Sequence, residues 1–310
     1  MTPTTTNLLS KSPAQLTGKP MTAPAATAAS TAFIQKPKPV TAKRSPKNLL
    51  ESEDDYLKVM AYGPTGSGKT RIIVDLLEAG LTVLAISTDF GGNGFTSVQM
   101  ELKRKGTPEL LANCLFFEFS TYDEVEDFVF NPEGTWPEIY NHDIDAVFLD
   151  GFSGMQLCML EDKVLGKESL FLDQQGWGRM KTGTTRVLNN FLALKNKKTG
   201  KSWHKFVVCH ENYKPKEDKI SGEQRIGPML QGAGASIMEM AFDLIFRTRK
   251  KRDTIDGKKV TKYTYELEGT DSKILTKARG LEVPPTMEAN FGVLWKSICE
   301  QKGFAVGKRP

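Results

Sequence analysis

Cysteine and histidine are scarce in this chain: four cysteines (Cys114, Cys158, Cys209 and Cys299), far apart and without a CxxC spacing, and three histidines. That pattern argues against a disulfide framework and a structural zinc site, and leaves reduced core thiols as the expectation. Long apolar runs are missing as well. No stretch reaches the roughly 18 residues of a membrane span, and the N-terminus lacks the apolar core of a secretory signal, so the sequence points to a cytoplasmic protein with no membrane partner. Acidic residues are absent from residues 1–50, which hold seven of the 42 Lys/Arg, leaving 35 basic against 37 acidic residues elsewhere. The formal net charge of +5 therefore sits in the N-terminal segment, and the remainder is nearly neutral.

That segment is rich in Thr, Ala, Pro and Lys, with no sustained hydrophobic period. It buries too little to offset its ordering entropy and is predicted to be disordered. Its charge suits either a nucleic acid or plain solubility. From Tyr56 onward, strand-like and helical runs alternate, the pattern of a parallel sheet covered on both faces. Strands are predicted over Tyr56–Tyr62, Leu81–Thr88, Leu115–Phe119, Ile144–Leu149 and Phe206–Cys209. Thr121 and Glu124 form a capping box that opens a helix through Phe130, and Thr185–Leu194 reads as a further helix. Phe242–Lys250 and Lys259–Leu267 read as a hairpin turned by Asp256-Gly257, with a short strand near Ile274.

Gly63-Pro64-Thr65-Gly66-Ser67-Gly68-Lys69-Thr70 fits the phosphate-binding pattern GxxxxGK[ST]. Its glycines let backbone N–H groups turn around a triphosphate, Lys69 reaches the β- and γ-phosphates, and the Thr70 hydroxyl ligates Mg²⁺. A strand before the loop and a helix after it, over Thr70–Ala79, complete an anion site at a helix N-terminus. Asp150 closes an apolar strand about 80 residues on, where a Walker B carboxylate belongs, and is the second expected Mg²⁺ ligand. Asp89 follows another strand at the ligand-binding edge of such a sheet and is either a water-orienting carboxylate or an ordinary turn residue. Glu211 competes for the base role, and His210 is either a γ-phosphate sensor or a structural histidine.

Two basic regions follow. Residues 212–233 carry Lys214, Lys216, Lys219 and Arg225 among glycines, which suits a phosphodiester backbone. Residues 247–262 hold Arg247, Arg249, Lys250, Lys251, Arg252, Lys258, Lys259 and Lys262 against Asp253 and Asp256, either as a solvated hairpin tip or as a second nucleic-acid contact. Trp177 is either a base-stacking platform or a core tryptophan.

The chain resembles the RecA-like P-loop ATPases of bacteriophages, in particular the Sak-type single-strand annealing proteins related to RecA and RadA. The likeness rests on Tyr62–Thr70, Asp89, Phe-Leu-Asp-Gly at 148–151, Gln-Gly-Trp-Gly at 175–178, Val-Val-Cys-His-Glu at 207–211, Gly-Pro-Met-Leu-Gln-Gly at 227–232, Phe-Asp at 242–243 and Thr-Lys-Ala-Arg-Gly at 276–280. The resemblance implies a three-layer α/β RecA-like core with a mostly parallel sheet and a C-terminal β-hairpin. It also implies ATP-regulated binding of single-stranded DNA, and annealing in phage recombination inside a bacterial host. DNA-facing loops then fall at 151–175 and 212–233, and Lys277 and Arg279 match a motif that reaches a neighbouring subunit's ATP site in a homo-oligomer. The relatives usually have Glu where this chain has Asp89, which bears on the catalytic base. The expected division is a tail over 1–50, an ATPase domain over 51–290 and an extension over 291–310. Two other readings stay open: a P-loop phosphotransferase, and a nucleotide-dependent replication or packaging accessory without fast turnover. Asn196-Lys197-Lys198-Thr199 lacks the Asp of a guanine-reading NKxD motif.

Overall fold

The computed structural model describes residues 56–88, 95–160, 174–212, 216–217, 224–230, 240–255, 257–268 and 273–304. The tail over 1–50 lies outside them. The strands are β1 Lys58–Gly63, β2 Val83–Ser87, β3 Cys114–Glu118, β4 Ala146–Asp150, β5 His204–His210, β6 Lys216–Glu217, β7 Gln224–Arg225, β8 Leu244–Ile255, β9 Lys258–Glu266, β10 Lys277–Ala278 and β11 Thr286–Glu288. Nine form one sheet in the order β11-β9-β8-β1-β5-β4-β2-β3, with β10 also on β8. From β8 to β3 every pairing is parallel; β9, β10 and β11 join antiparallel.

Period-two alternation sends the two faces of each central strand into separate apolar layers. Val59, Ala61, Phe148 and Val208 pack with helix α1 (Arg71–Glu78), helix α2 (Thr96–Lys105) and the last helix, Phe291–Lys302. Met60, Tyr62, Leu149 and Cys209 pack with α3 (Tyr122–Phe130), α5 (Phe152–Met159) and α6 (Gln174–Ala193), while the short α4 (Pro132–Thr135) follows α3. This is the three-layer α/β architecture, a mostly parallel sheet covered on both faces, that the alternating runs imply. The capping box is present: the Glu124 N–H donates to Thr121 Oγ1 at 3.3 Å, and Glu124 Oε2 accepts the Thr121 N–H at 3.0 Å. The four cysteines form no disulfide, and burial pushes the thiols of Cys114 and Cys299 up to about 11 and that of Cys209 up to about 12.

Several expectations need correction. Residues 151–175 are not one open loop: α5 occupies Phe152–Met159 with Phe152, Met155 and Met159 buried, and α6 begins at Gln174. Residues 161–173 lie outside the described part. Ile274 makes a single parallel bridge to Ile226, and the short strand falls instead at β10. The segment after residue 290 contributes a core helix, with Phe291, Leu294, Trp295 and Ile298 buried and the Phe291 N–H donating to Asp75 Oδ2 at 2.7 Å.

Lys205, on β5, is fully buried at the end of the sheet remote from the phosphate loop. Its ammonium donates to Trp203 O at 2.6 Å and lies 5.4 and 5.7 Å from the rings of Tyr56 and Trp203. Burial, and behind it the charge of Lys58 on β1, push its pKa down to about 7. Between that value and the ordinary lysine range the unfolded chain holds a proton that the folded chain lacks, so this site makes stability rise with pH. Lys205→Met is therefore expected to stabilise the protein most below about pH 7, by on the order of a few kcal/mol, and to lose that advantage toward about pH 10. Melting curves of both proteins across this range are the test. A pH-independent difference would contradict the assignment.

Candidate functional site

The phosphate loop starts where β1 ends. A Cβ at Gly63 would collide with the Thr248 hydroxyl, the Thr248 backbone carbonyl and Ser67 Oγ, so only glycine fits. Gly66 and Gly68 sit at φ +72° and +90°, the left-handed region that turns the chain around a concave centre. Ser67 Oγ donates to Pro64 O at 2.7 Å and shares a 2.6 Å hydrogen bond with Thr248 Oγ1 on β8. The Lys69 ammonium crosses the loop to Gly63 O and Pro64 O, at 2.9 and 2.8 Å. Helix α1 follows with no acidic residue of its own in its first turn.

Thr70 Oγ1 donates to Asp150 Oδ2 at 2.7 Å. The Asp150 carbonyl accepts both the N–H and the hydroxyl of Thr88, each at 2.9 Å, which fastens β4 to the end of β2. Above this pair opens a cavity of about 550 Å³, within the range of small-ligand sites. Lys69, Thr70, Asp150 and His210 line it, with Val98 and Arg104 of α2 and Tyr263 of β9. Glu101 of α2 is held below the usual carboxylate range, first by its hydrogen bonds from Arg104 (2.9 and 2.7 Å), and Arg71 lies 3.8 Å away. The residues fit Mg·ATP: a glycine cradle, a lysine whose ammonium reaches two carbonyls of the loop, and a hydroxyl and carboxylate already converging.

Lys69, Thr70 and Asp150 thus come together as the motifs imply, and His210 stands beside them. The His210 N–H donates to Ser153 Oγ at 3.0 Å and its carbonyl accepts the Met229 N–H at 2.6 Å, which pins its backbone from both sides. Glu211 has a different place from that of a general base. Both its oxygens accept from Arg247, at 2.6 and 2.9 Å, in a buried pair that Glu266 extends at 3.2 Å and Arg249 closes at 3.0 Å. A carboxylate so engaged holds the end of β5 to β8, and Arg247 is likewise removed from the nucleic-acid candidates.

The basic stretch over 212–233 is partly docked. The Asn212 N–H donates to Gly227 O, Glu211 bridges Pro228, and Tyr62 Oη donates to Leu275 O and Ile226 O. Lys216 pairs with Arg225 across β6 and β7, whereas Lys214, Lys219 and Asp89 lie outside the described residues. Lys277 and Arg279 both donate to Met240 O, at 3.2 and 3.1 Å. They lie by the first residues of β8, at the opposite end of the sheet from the loop. Asn196 caps a turn through Lys198 N and Thr199 N, outside the cavity. Trp177 is 41% exposed on α6, not a core residue.

Thr248, Tyr263 and Ser153 escaped the sequence reading. No local motif marks them; they reach the loop and His210 only through sheet order. Gly63→Ala is expected to cost about 1–3 kcal/mol, because the backbone of β8 cannot give way, and to abolish nucleotide binding. Thr248→Ala removes only the Ser67 partner and should cost about 1 kcal/mol. Urea denaturation and nucleotide titration check both, and a Gly63→Ala protein of parental stability would contradict the packing described.

None of the curated proteins shows a significant match to the chain. Among solved structures, the crystal structure of the flagellar accessory protein FlaH from Methanocaldococcus jannaschii is similar at 12% identity, with a TM-score of 0.38 over 75% of this chain and 84% of that one. The model of the AAA domain matches residues 55–279, from just before β1 to just after β10. With that match over most of its length and a complete phosphate loop inside it, the chain belongs to the AAA domain family of P-loop ATPases.

Proposed function

We propose that this protein is an Mg²⁺-dependent ATPase that binds single-stranded DNA and promotes annealing or recombination, in the cytoplasm of a phage-infected bacterium. The convergence of Lys69, Thr70 and Asp150 in the lining of the cavity supports the nucleotide part of that reading most directly. Bound Mg·ATP supplies the transferable phosphoryl group and a dication that spreads its charge. Lys69 exchanges its two carbonyl partners for phosphate oxygens. The Thr70 hydroxyl, a donor to Asp150 in this structure, and the Asp150 carboxylate would hold the Mg²⁺. With Glu211 sequestered by Arg247, Asp89 is the carboxylate that orients the attacking water. His210, beside the cavity and bonded through its backbone to Met229, relays phosphate occupancy to the basic stretch that follows, where Lys214, Lys216, Lys219 and Arg225 meet DNA.

Lys277 and Arg279 lie at the opposite end of the sheet from the chain's own loop, which supports a role at the site of another subunit in a homo-oligomer. In phosphoryl transfer such an added cation is worth up to several powers of ten in rate.

Lys69→Ala is expected to weaken Mg·ATP binding by about 1.5–3 kcal/mol or more, the worth of one charge-assisted hydrogen bond, whereas Asp150→Asn should reduce turnover more than binding. Calorimetry that finds equal affinity in Lys69→Ala would sink the nucleotide site. For the shared site, Arg279→Ala protein, inactive alone, should regain hydrolysis when mixed with Lys69→Ala protein, since some interfaces then pair an intact loop with an intact Arg279. Failure of all mixtures to recover would remove the trans-acting role.

A further inference from the structure

Strands β8 and β9 outrun the sheet. Pairing with β1 stops at Arg247, and pairing with β11 stops at Thr264, so the rungs from Lys250–Tyr263 to Ile255–Lys258 form a two-stranded ribbon. Side chains alternate along it, and residues opposite each other share a face. One face begins with Arg247 and Glu266, continues through Arg249 and the Lys251–Lys262 rung, and includes Asp253. Its charges are largely answered there: Arg247 and Arg249 by Glu266, and Lys251 and Lys262 by Asp253 at 3.6 and 3.8 Å.

The other face begins with Thr248, which bonds Ser67 of the phosphate loop, and Tyr263, whose ring would stand 3.5 Å from a Cβ at Gly68. Beyond them come Lys250 over that ring, Arg252 opposite Thr261, and Lys259 opposite Thr254. All three cations are exposed, one on each of three successive same-face rungs, and no carboxylate shares this face among the described residues. Such rungs are about 6.8 Å apart, two residues of antiparallel strand, a spacing that suits the backbone of an extended polynucleotide. The sorting here, with the described acids Asp253 and Glu266 on one face and three exposed cations on the other, suits a polyanion on the latter.

From this we infer that the face bearing Lys250, Arg252 and Lys259 is a binding strip for the phosphodiester backbone of single-stranded DNA, leading away from the nucleotide cavity. The inference rests on the proposed DNA-binding function and locates a part of it. The strip supplies three phosphate contacts and, in Tyr263, an aromatic edge where it meets the cavity.

The test is fluorescence anisotropy of a labelled oligothymidylate with the full chain, across a salt series. Lys250→Ala/Arg252→Ala/Lys259→Ala is compared with the opposite-face control Lys251→Ala/Lys258→Ala/Lys262→Ala; each removes three exposed charges. The first variant should lose about tenfold or more in affinity at low salt and about 2 from the log–log salt slope, at roughly 0.7 per contact. The control should change affinity and slope far less. Equal losses in the two variants, or none in the first while the parent binds, would overturn the strip and leave the DNA-binding reading standing. A loss seen on phosphatidylserine vesicles but not on the oligonucleotide would also overturn it. A parent chain that binds no oligonucleotide at any salt would defeat both the reading and the strip.

Discussion

The site depends on the insertion of β5 between β1 and β4. Adjacent strands lie about 4.8 Å apart, so the phosphate loop on β1 and Asp150 on β4 are separated by roughly twice that distance. The Thr70–Asp150 hydrogen bond at 2.7 Å closes this gap, and it forms because the loop carries the start of α1 across the end of β5. The same geometry puts His210, the last residue of β5, next to both partners. A carboxylate on an adjacent strand would leave no strand end between it and the loop, and hence no residue placed to connect the cavity with the chain that follows β5.

A second constraint acts from the other flank. β8 lies against β1 so closely that Gly63 admits no side chain, and the Ser67–Thr248 hydrogen bond ties loop to strand. The buried Arg247–Glu211–Glu266 set joins the same strand to the end of β5 and to β9. Burying these ions costs desolvation that their attraction only partly offsets; their clearest consequence is positional, since removing Arg247 would leave the buried Glu211 carboxylate without that partner. The phosphate loop is therefore clamped between β4 on one side and the hairpin on the other. The hairpin's far end is the ribbon whose charges are sorted by face, so the cavity and the proposed strip lie along one pair of strands.

What the sequence made legible follows from how local each signal is. The phosphate loop, the apolar strands, the capping box of Thr121 and Glu124 and the Gly257 turn are each encoded within a few residues, and all are present. Asp150 was legible because strand and carboxylate adjoin. α2 was not, because only Val98 and Leu102 of its ten residues are buried, while its other side meets the cavity and solvent. The first half of α6 hides behind Gly176, Gly178 and Gly183, which break the helical pattern that Met180 and Thr184 nonetheless bury. Thr248 and Tyr263 lie some 180 residues or more from the loop they touch, and Glu211 offered a free carboxylate in sequence only because Arg247 meets it through sheet order.

The most direct measurement is steady-state ATP hydrolysis by the full chain, with and without Mg²⁺ and with and without single-stranded DNA. The account requires turnover that depends on Mg²⁺ and rises when single-stranded DNA is added. Hydrolysis unaffected by DNA and appearing only with a small phosphoryl acceptor, or no Mg²⁺-dependent turnover in any condition, would contradict it.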